Sequence, residues 1–261
     1  MFKKFLISFF LIVNFTFSAF AEENKQVEIW NSEKGLKMLN ESQFKNDFYQ
    51  LINFFQPQIN PLYCSAATST IILNALNYSN IPSQKSAEVT KPEAMGGGVL
   101  EFHSYLQSNF FNEKTDRIKK REIIDLKAPS KKIDGKEIYD PGLNLATLSK
   151  ILSQVYGLKT KVTYVAKINE KSINKFRQKL KEVLADDKNF MIVNFDGMLI
   201  GNKTRGHVSP VGAYDEKTDS VLVLDVALHK NSWYFVSVEK LFAAMNSKDG
   251  DSFRGYLVVS K

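Results

Sequence analysis

The stretch Gln58–Ala67, with the sequence QINPLYCSAA, contains the only cysteine of this 261-residue chain, Cys64. The small and apolar residues that follow it, Ser65 to Leu76, predict a buried helix. Free amide groups and the dipole at a helix N-terminus favour the thiolate form of a cysteine, which is the nucleophilic form. Most single cysteines are small buried hydrophobic residues. Its place at a helix start nevertheless makes Cys64 a candidate nucleophile.

Three further residues complete the set of groups that cysteine acyl-transfer chemistry needs. His207, within the segment Gly206–Pro210, is the candidate base, and Asp225 is the candidate carboxylate that orients its imidazole. Gln58 lies six residues before Cys64 and could supply an amide donor to an oxyanion. The sequence therefore predicts a cysteine acyltransferase that uses these four residues in catalysis.

The other two histidines lack such a context. His103 falls in the segment Val99–Phe111, which reads as an amphipathic helix, and His229 falls in a predicted exposed loop. The candidate catalytic residues contain no pair of ligands at the close spacing typical of zinc sites, so we expect no metal site.

The net charge of the chain is +7, from 35 basic and 28 acidic residues. The lysines are spread along the whole sequence, whereas nucleic-acid-binding proteins concentrate their basic residues in a patch or stripe. We therefore expect no nucleic-acid partner.

The N-terminus has the three parts of a secretory signal peptide. Met1–Lys4 is basic, Phe5–Phe20 is apolar, and Ala19–Ala21 is a small-x-small cleavage site. An uncleaved anchor is the alternative, but the apolar run is shorter than the ~20 residues that a spanning helix needs. The sequence predicts a signal peptide at 1–21, export to the periplasm or the medium, and no stable membrane insertion after cleavage.

The rest of the chain divides into an N-terminal arm at 22–50, with a short helix around Leu36 to Phe48, and a catalytic domain at 51–261 with an insertion around 96–140. Pro141–Leu145 opens a helix that Gly157 ends. Helices dominate the first half and strands the second, which indicates an α+β fold. Strands are predicted at 159–165, 190–195, 207–214, 220–225, 232–236 and 254–260, and helices at 171–186 and 238–245.

Several motifs, in this order, resemble the catalytic domain of phytochelatin synthase, and the resemblance runs from about Gln56 to the C-terminus. They are Gln58-x-Asn60-Pro61-x-x-Cys64, LNAL at Leu73–Leu76, VNF at Val193–Phe195, GHxSPxGxY at Gly206–Tyr214, LDVA at Leu224–Ala227, AMN at Ala244–Asn246 and RGY at Arg254–Tyr256. The resemblance implies a papain-like cysteine protease fold. Its helical half would carry the nucleophile and its antiparallel sheet half would carry the His and Asp.

The resemblance also implies an activity, that of a glutathione gamma-glutamylcysteinyltransferase. Cys64 would form a thioester with γ-glutamylcysteine and release glycine. The acyl group would pass to water or to a second glutathione, which gives a phytochelatin. The chain resembles the short bacterial members, which act mainly as glutathione hydrolases with weak synthase activity. The resemblance therefore implies that deglycination dominates, with a role in metal detoxification or glutathione turnover.

The same resemblance implies substrate binding by Arg254, Tyr256 and Asp249, no cofactor, and a homodimer. Heavy-metal ions such as Cd or Zn would enter as thiolate complexes of glutathione. This chain has Leu228 where the plant enzymes carry an arginine, three residues after the catalytic aspartate. We also expect no counterpart of their cysteine-rich C-terminal domain.

Two alternatives remain at the level of sequence. The first is an exported papain-like cysteine peptidase that acts on another peptide. The second is a thiol- or metal-binding exported protein that is not an enzyme.

Overall fold

A computed structural model of the chain describes residues 26–76, 85–121 and 130–261. The predicted signal peptide at 1–21 lies outside these ranges. Within them, no helix combines the length and apolar composition that crossing a membrane requires.

The described residues form eight α-helices and thirteen β-strands. The helices are α1 (Glu33–Glu41), α2 (Asn46–Ile52), α3 (Cys64–Leu76), α4 (Gln107–Phe110), α5 (Glu113–Asp116), α6 (Leu145–Gln154), α7 (Glu170–Leu184) and α8 (Val238–Met245). The strands are β1 (Val27–Ile29), β2 (Lys85–Thr90), β3 (Val99–His103), β4 (Ser130–Ile133), β5 (Lys136–Tyr139), β6 (Lys159–Tyr164), β7 (Asn189–Asp196), β8 (Gly206–Asp215), β9 (Ser220–Val223), β10 (Tyr234–Ser237), β11 (Lys248–Asp249), β12 (Ser252–Phe253) and β13 (Gly255–Ser260).

Seven strands form one sheet in the order β1-β10-β9-β8-β7-β13-β6, and every neighbouring pair is antiparallel. Successive side chains of a strand point to opposite faces. Along β7, Phe190 and Ile192 join a core with α3 and α6, whereas Met191 and Val193 join a second core with α7 and α8. Helices therefore cover both faces of an antiparallel sheet, and the predicted α+β class is confirmed.

Helix α3 is the central helix of the first core. Its residues from Ser65 to Ala75 are all buried, which fits the prediction from a run that is small or apolar on every side. Thr68 Oγ1 donates a hydrogen bond of 3.1 Å to the carbonyl of Val208, so the helix is tied directly to β8.

The second half of the chain follows the predicted order of elements. The strands predicted between 159 and 260 are present as β6, β7, β8, β9, β10 and β13, and the helix predicted at 238–245 is α8. The predicted strands at 207–214 and 220–225 imply a turn between Asp215 and Asp219. This turn joins β8 to β9, and the Tyr214 hydroxyl donates to Asp219 Oδ1 at 2.8 Å across it. These predictions are confirmed.

The single helix predicted from Leu36 to Phe48 is wrong. The chain forms α1 and α2 instead, and β1 before them adds an edge strand to the main sheet. Ser42 ends α1 by donating its hydroxyl to the Met38 carbonyl. Phe44 then pairs with Tyr214 of β8 through two backbone hydrogen bonds. This tertiary pairing explains the break in the helix.

The helix predicted over Val99–Phe111 is also wrong. Residues Val99–His103 form β3, which pairs with β2, and only Gln107–Phe110 are helical. The three glycines at 96–98 all have positive φ angles, between 60° and 85°, and they return the chain into β3. Strand-favouring residues after this turn, Val99 and Phe102 among them, outweigh the helical pattern. The treatment of 96–140 as an insertion stays a prediction.

Candidate active site

Cys64 is the first residue of α3, and a tight turn at residues 60–63 precedes it. Asn60 organises this turn: its side-chain oxygen accepts from the Leu62 amide at 2.9 Å, and its carbonyl accepts from the Tyr63 amide at 3.0 Å. The Tyr63 carbonyl then accepts from Ala67 at 2.8 Å, which begins the helical hydrogen-bond pattern. Cys64 is half-buried and is a free thiol.

His207 and Asp225 come together from neighbouring strands. His207 lies at the start of β8, and Asp225 lies just beyond the end of β9, which is paired with β8. The imidazole Nε2 and the carboxylate Oδ1 are 2.8 Å apart, and the two side chains are 3% and 0% exposed. Because Nε2 is engaged by the carboxylate, Nδ1 is the ring nitrogen left to serve the thiol.

The surroundings of His207 favour its charged form. Burial lowers the pKa of this imidazole, but the charge and hydrogen bond of Asp225, together with a hydrogen bond to the Cys64 side chain, leave the pKa above its ordinary value. The structure thus brings together Cys64, His207 and Asp225, the residues that the sequence predicts as nucleophile, base and orienting carboxylate.

Two polar residues that the sequence analysis did not select hold this pair in place. Ser209 Oγ lies 3.1 Å from His207 Nε2 and accepts from the Val226 amide at 3.3 Å. Asn231 Nδ2 donates to Asp225 Oδ2 at 3.1 Å. Ser209 is part of the GHxSPxGxY pattern and could have been found there, whereas nothing in the sequence around Asn231 marks it.

Asp225 is a fully buried carboxylate with several donors. Besides His207 and Asn231, the backbone amide of Ala227 donates to its Oδ1 at 2.8 Å. The hydroxyl of Tyr234 is buried nearby, and burial followed by the Asp225 charge raises the pKa of Tyr234 well above its usual value. A buried charge is stable only when it is paired and hydrogen-bonded, and Asp225 meets this requirement.

Gln58 lies between the nucleophile turn and the Asp225 segment. Its backbone amide donates to the Val226 carbonyl at 2.8 Å, and its side-chain Nε2 donates to the Asn60 carbonyl at 2.9 Å. The Gln58 Oε1 atom is buried and accepts no hydrogen bond from a described residue. The bond to Asn60 uses one of the two hydrogens of the Gln58 amide and leaves the second hydrogen available.

Two of the three residues predicted to bind substrate form one cluster. Arg254 Nη1 lies 3.2 Å from Asp249 Oδ2 and donates to Asn194 Oδ1 at 2.8 Å. Asn194 Nδ2 in turn donates to Asp249 Oδ2 at 2.8 Å. The guanidinium lies against Gly206, where an added Cβ would approach Nη2 to 2.6 Å. Since Gly206 precedes His207, this cluster adjoins the candidate catalytic residues.

Tyr256, the third residue predicted to bind substrate, lies elsewhere. Its ring packs 5.0 Å from Phe176 of α7, within the core on the face of the sheet opposite α3. The structure therefore does not bring Tyr256 together with Cys64. Leu228 is an exposed residue of the loop that follows Asp225.

The remaining histidines and acidic residues form no metal centre in the described part of the chain. His103 ends β3 with Nε2 3.5 Å from Glu101. Among residues 26–76, 85–121 and 130–261, no group of three or more His, Cys, Asp or Glu side chains is arranged to hold a metal ion.

Comparisons with known proteins point to one family. The sequence model of the phytochelatin synthase family matches residues 22–256. Glutathione gamma-glutamylcysteinyltransferase 3 of Lotus japonicus is 26% identical over 218 residues, which are 82% of this chain and 37% of the relative. Glutathione gamma-glutamylcysteinyltransferase 1 of Arabidopsis thaliana is 24% identical over 237 residues, 89% of this chain and 41% of the relative.

A third relative, glutathione gamma-glutamylcysteinyltransferase of Schizosaccharomyces pombe, is 29% identical over 125 residues, which are 47% of this chain and 29% of the relative. The chain thus spans about two fifths of the length of the plant relatives it matches.

Proposed function

The chain belongs to the phytochelatin synthase family, and we propose that it is a glutathione gamma-glutamylcysteinyltransferase-like enzyme that works through a thioester on Cys64. The observation that carries the proposal is the buried His207–Asp225 pair, with Nε2 and Oδ1 2.8 Å apart, next to the Cys64 side chain, which helps to raise the pKa of His207. We further propose that the α3 side and the sheet side of the molecule correspond to the two halves of a papain-like fold.

In the first half-reaction, His207 takes the proton of the Cys64 thiol, and the thiolate attacks the carbonyl carbon that joins cysteine to glycine in glutathione. The Gln58 amide and the Cys64 backbone N–H stabilise the oxyanion. The tetrahedral intermediate collapses, His207 gives its proton to the departing glycine amine, and the C–N bond breaks. The product is a γ-glutamylcysteinyl thioester on Cys64.

In the second half-reaction, an acceptor attacks the thioester while His207 takes the acceptor's proton and then returns it to the Cys64 sulfur. Water as acceptor gives γ-glutamylcysteine. The amine of a second glutathione gives a phytochelatin. We propose water as the main acceptor and glutathione as the second one, with a role in glutathione turnover or the response to metal ions.

The Arg254–Asp249 cluster supplies the charges that a γ-glutamyl group needs. The α-carboxylate of the substrate would face the Arg254 guanidinium, and its α-ammonium group would face Asp249. The guanidinium is only 12% exposed, so it is held near its place before substrate binds. Leu228 cannot form the carboxylate contact of an arginine, which leaves Arg254 as the carboxylate-binding residue of the proposed site.

Three further proposals concern the setting of the enzyme. Residues 1–21 would direct export, so the mature protein would act in the periplasm or the medium. Heavy-metal ions would reach the site as thiolate complexes of glutathione, with no resident cofactor. A homodimer is the proposed assembly.

A product assay tests the proposed activity. The protein comprising residues 22–261 is incubated with glutathione, with and without cadmium or zinc, beside Cys64→Ala and the surface control Asp187→Asn. We expect glycine and γ-glutamylcysteine from the wild type and the control, and neither from Cys64→Ala. Longer thiol peptides in the presence of metal would demonstrate transfer to glutathione. Absence of glycine would reject glutathione as the substrate and favour an exported peptidase.

A further inference from the structure

Gln107 touches the backbone on both sides of Gln58. Its Oε1 accepts from the Ile59 amide at 3.1 Å, and its Nε2 donates to the Pro57 carbonyl at 2.9 Å. Gln107 is 2% exposed and begins α4, 43 residues after Cys64 in the chain. One buried side chain thus hydrogen-bonds to the residues before and after Gln58, the proposed oxyanion donor.

The segment that carries Gln107 is itself fixed to the nucleophile helix. Asn74 of α3 makes two hydrogen bonds with the backbone of Tyr105: its Oδ1 accepts from the Tyr105 amide at 2.8 Å and its Nδ2 donates to the Tyr105 carbonyl at 3.0 Å. At the other end of α4, the Tyr156 hydroxyl donates to the Phe110 carbonyl at 2.6 Å. Gln107 is therefore held in a fixed position relative to Cys64.

The chemistry of these contacts requires a primary amide. Residues 57–59 belong to no helix or strand, so their backbone groups need other hydrogen-bond partners. A glutamine side chain offers one acceptor and two donors at its end, whereas glutamate offers acceptors only when ionised and methionine offers neither in useful strength. Gln107 meets one donor and one acceptor at once, which neither an ionised glutamate nor a methionine can do.

We propose that Gln107 is a positioning residue that fixes Gln58 as the oxyanion donor next to Cys64. The inference rests on the proposed function, because it assumes an acyl transfer with a developing oxyanion. Three sets of hydrogen bonds then position Gln58. Its backbone amide donates to the Val226 carbonyl, its side chain donates to the Asn60 carbonyl, and its neighbours Pro57 and Ile59 hydrogen-bond to Gln107. Loss of the Gln107 hydrogen bonds leaves the first two contacts but allows the Pro57 and Ile59 backbone to move.

The effect to be measured is on transition-state stabilisation, not on the nucleophile. An oxyanion donor is worth about 10²–10³ in rate, and a displacement of about 1 Å costs up to about 10². We therefore expect Gln107→Met to slow acylation by about 10- to 100-fold. Gln107→Glu should also be slow at a pH where the new carboxyl group is ionised, because a carboxylate cannot donate to the Pro57 carbonyl. Alkylation of Cys64 by iodoacetamide forms no oxyanion and should change less than about twofold.

The test uses an acyl donor that does not depend on the identity of the natural substrate. Acylation by p-nitrophenyl acetate and alkylation by iodoacetamide are measured for wild type, Gln107→Met, Gln107→Glu, Gln58→Ala and the double variant Gln58→Ala/Gln107→Met. Gln178→Met, an exposed glutamine of α7, is the matched control. Because Gln107 acts through Gln58, the double variant should be no slower in acylation than Gln58→Ala alone.

Each result decides the inference. Slower acylation with near-normal alkylation, and no further loss in the double variant, would support it. Multiplicative losses in the double variant, equal losses of acylation and alkylation, or no effect of Gln107→Met would overturn it. A wild type that is alkylated but never acylated would overturn this inference together with acyl transfer itself. Acylation by the ester without glycine release from glutathione would reject glutathione alone, and the role of Gln107 would still be decided by the ester.

Discussion

At the scale of single residues, the proposed chemistry depends on a charged imidazole inside the protein. His207 is buried, and burial opposes its charge, but Asp225 and the Cys64 side chain outweigh that effect and leave the pKa of His207 raised. Asp225 can do this because its own charge is met by donors from His207, Ala227 and Asn231. The imidazolium that the thiolate requires is thus stabilised by a carboxylate that is already in place.

Asp225→Asn tests this electrostatic role. Without the carboxylate, burial dominates and the pKa of His207 falls, so the imidazolium loses its proton at lower pH. We expect the alkaline limb of the pH profile of acyl transfer, which needs the imidazolium as proton donor to the leaving amine, to move to lower pH, and the rate of acyl transfer to fall by about 10²- to 10⁴-fold. Asp187→Asn, at an exposed position, should leave both unchanged. An unmoved alkaline limb in Asp225→Asn would contradict the account.

The sequence identified residues by their chemistry and missed those that act by position. Cys64, His207, Asp225 and Gln58 are found because acyl transfer needs few side-chain types and the motifs contain them. Gln107 was missed, because its role consists of two hydrogen bonds to backbone groups about 50 residues away. Only the folded chain brings those groups to it.

At the scale of elements, the order of strands follows the sequence. The strand segments predicted at 190–195, 207–214 and 254–260 are β7, β8 and β13, and a run that is small or apolar on every side predicts α3. The predictions fail where long-range contacts decide. Phe44, in the break between α1 and α2, pairs with Tyr214 of β8, and the segment 99–103 pairs with β2. Local patterns carry no information about such partners.

Two glycines at the starts of β8 and β13, the strands on either side of β7, make a matched pair for a test. A Cβ at Gly255 would lie 2.0 Å from the Thr163 carbonyl oxygen, which is backbone and cannot yield. A Cβ at Gly206 would meet the side-chain end of Arg254, which can move. We expect Gly255→Ala to lower the free energy of unfolding by about 1–3 kcal/mol. Gly206→Ala should change it less, but raise the KM for glutathione by displacing the guanidinium.

Chemical denaturation and steady-state kinetics on both variants check this prediction. A Gly206→Ala protein with unchanged KM would argue against Arg254 as a substrate-binding residue. A Gly255→Ala protein as stable as the wild type would argue against the described pairing of β13 with β6.

At the scale of the whole molecule, the N-terminal segment places an aspartate in an apolar setting. Asp47 of α2 is fully buried, and neither of its carboxylate oxygens accepts a hydrogen bond from a described residue. Burial, and to a smaller extent the charge of Asp186, raises the pKa of Asp47 to about 9. The folded protein therefore keeps Asp47 protonated at neutral pH, whereas the unfolded chain ionises it near 3.8.

This difference makes stability depend on pH in a definite direction. Between the unfolded and folded pKa values the native state binds one more proton than the unfolded state, so the free energy of unfolding falls as pH rises, by up to about 1.4 kcal/mol per unit. Below the unfolded pKa the penalty disappears. We expect Asp47→Asn to flatten the decline between about pH 5 and 8 and to raise stability at pH 8 relative to wild type.

Urea denaturation across this pH range, with the exposed Asp251→Asn as control, measures the effect. An Asp47→Asn protein with the same pH slope as the wild type would mean that Asp47 is not protonated in the folded state.

The central claim is that Cys64 carries the acyl group, and trapping this intermediate tests it most directly. The protein is mixed with glutathione, quenched with acid within one turnover, and digested. The mass of the peptide containing Cys64 is then measured by mass spectrometry. The account predicts a γ-glutamylcysteinyl thioester on Cys64, formed in step with one equivalent of glycine and removed by hydroxylamine. Glycine release while Cys64 stays unmodified, or an acyl group on another residue, would contradict the account.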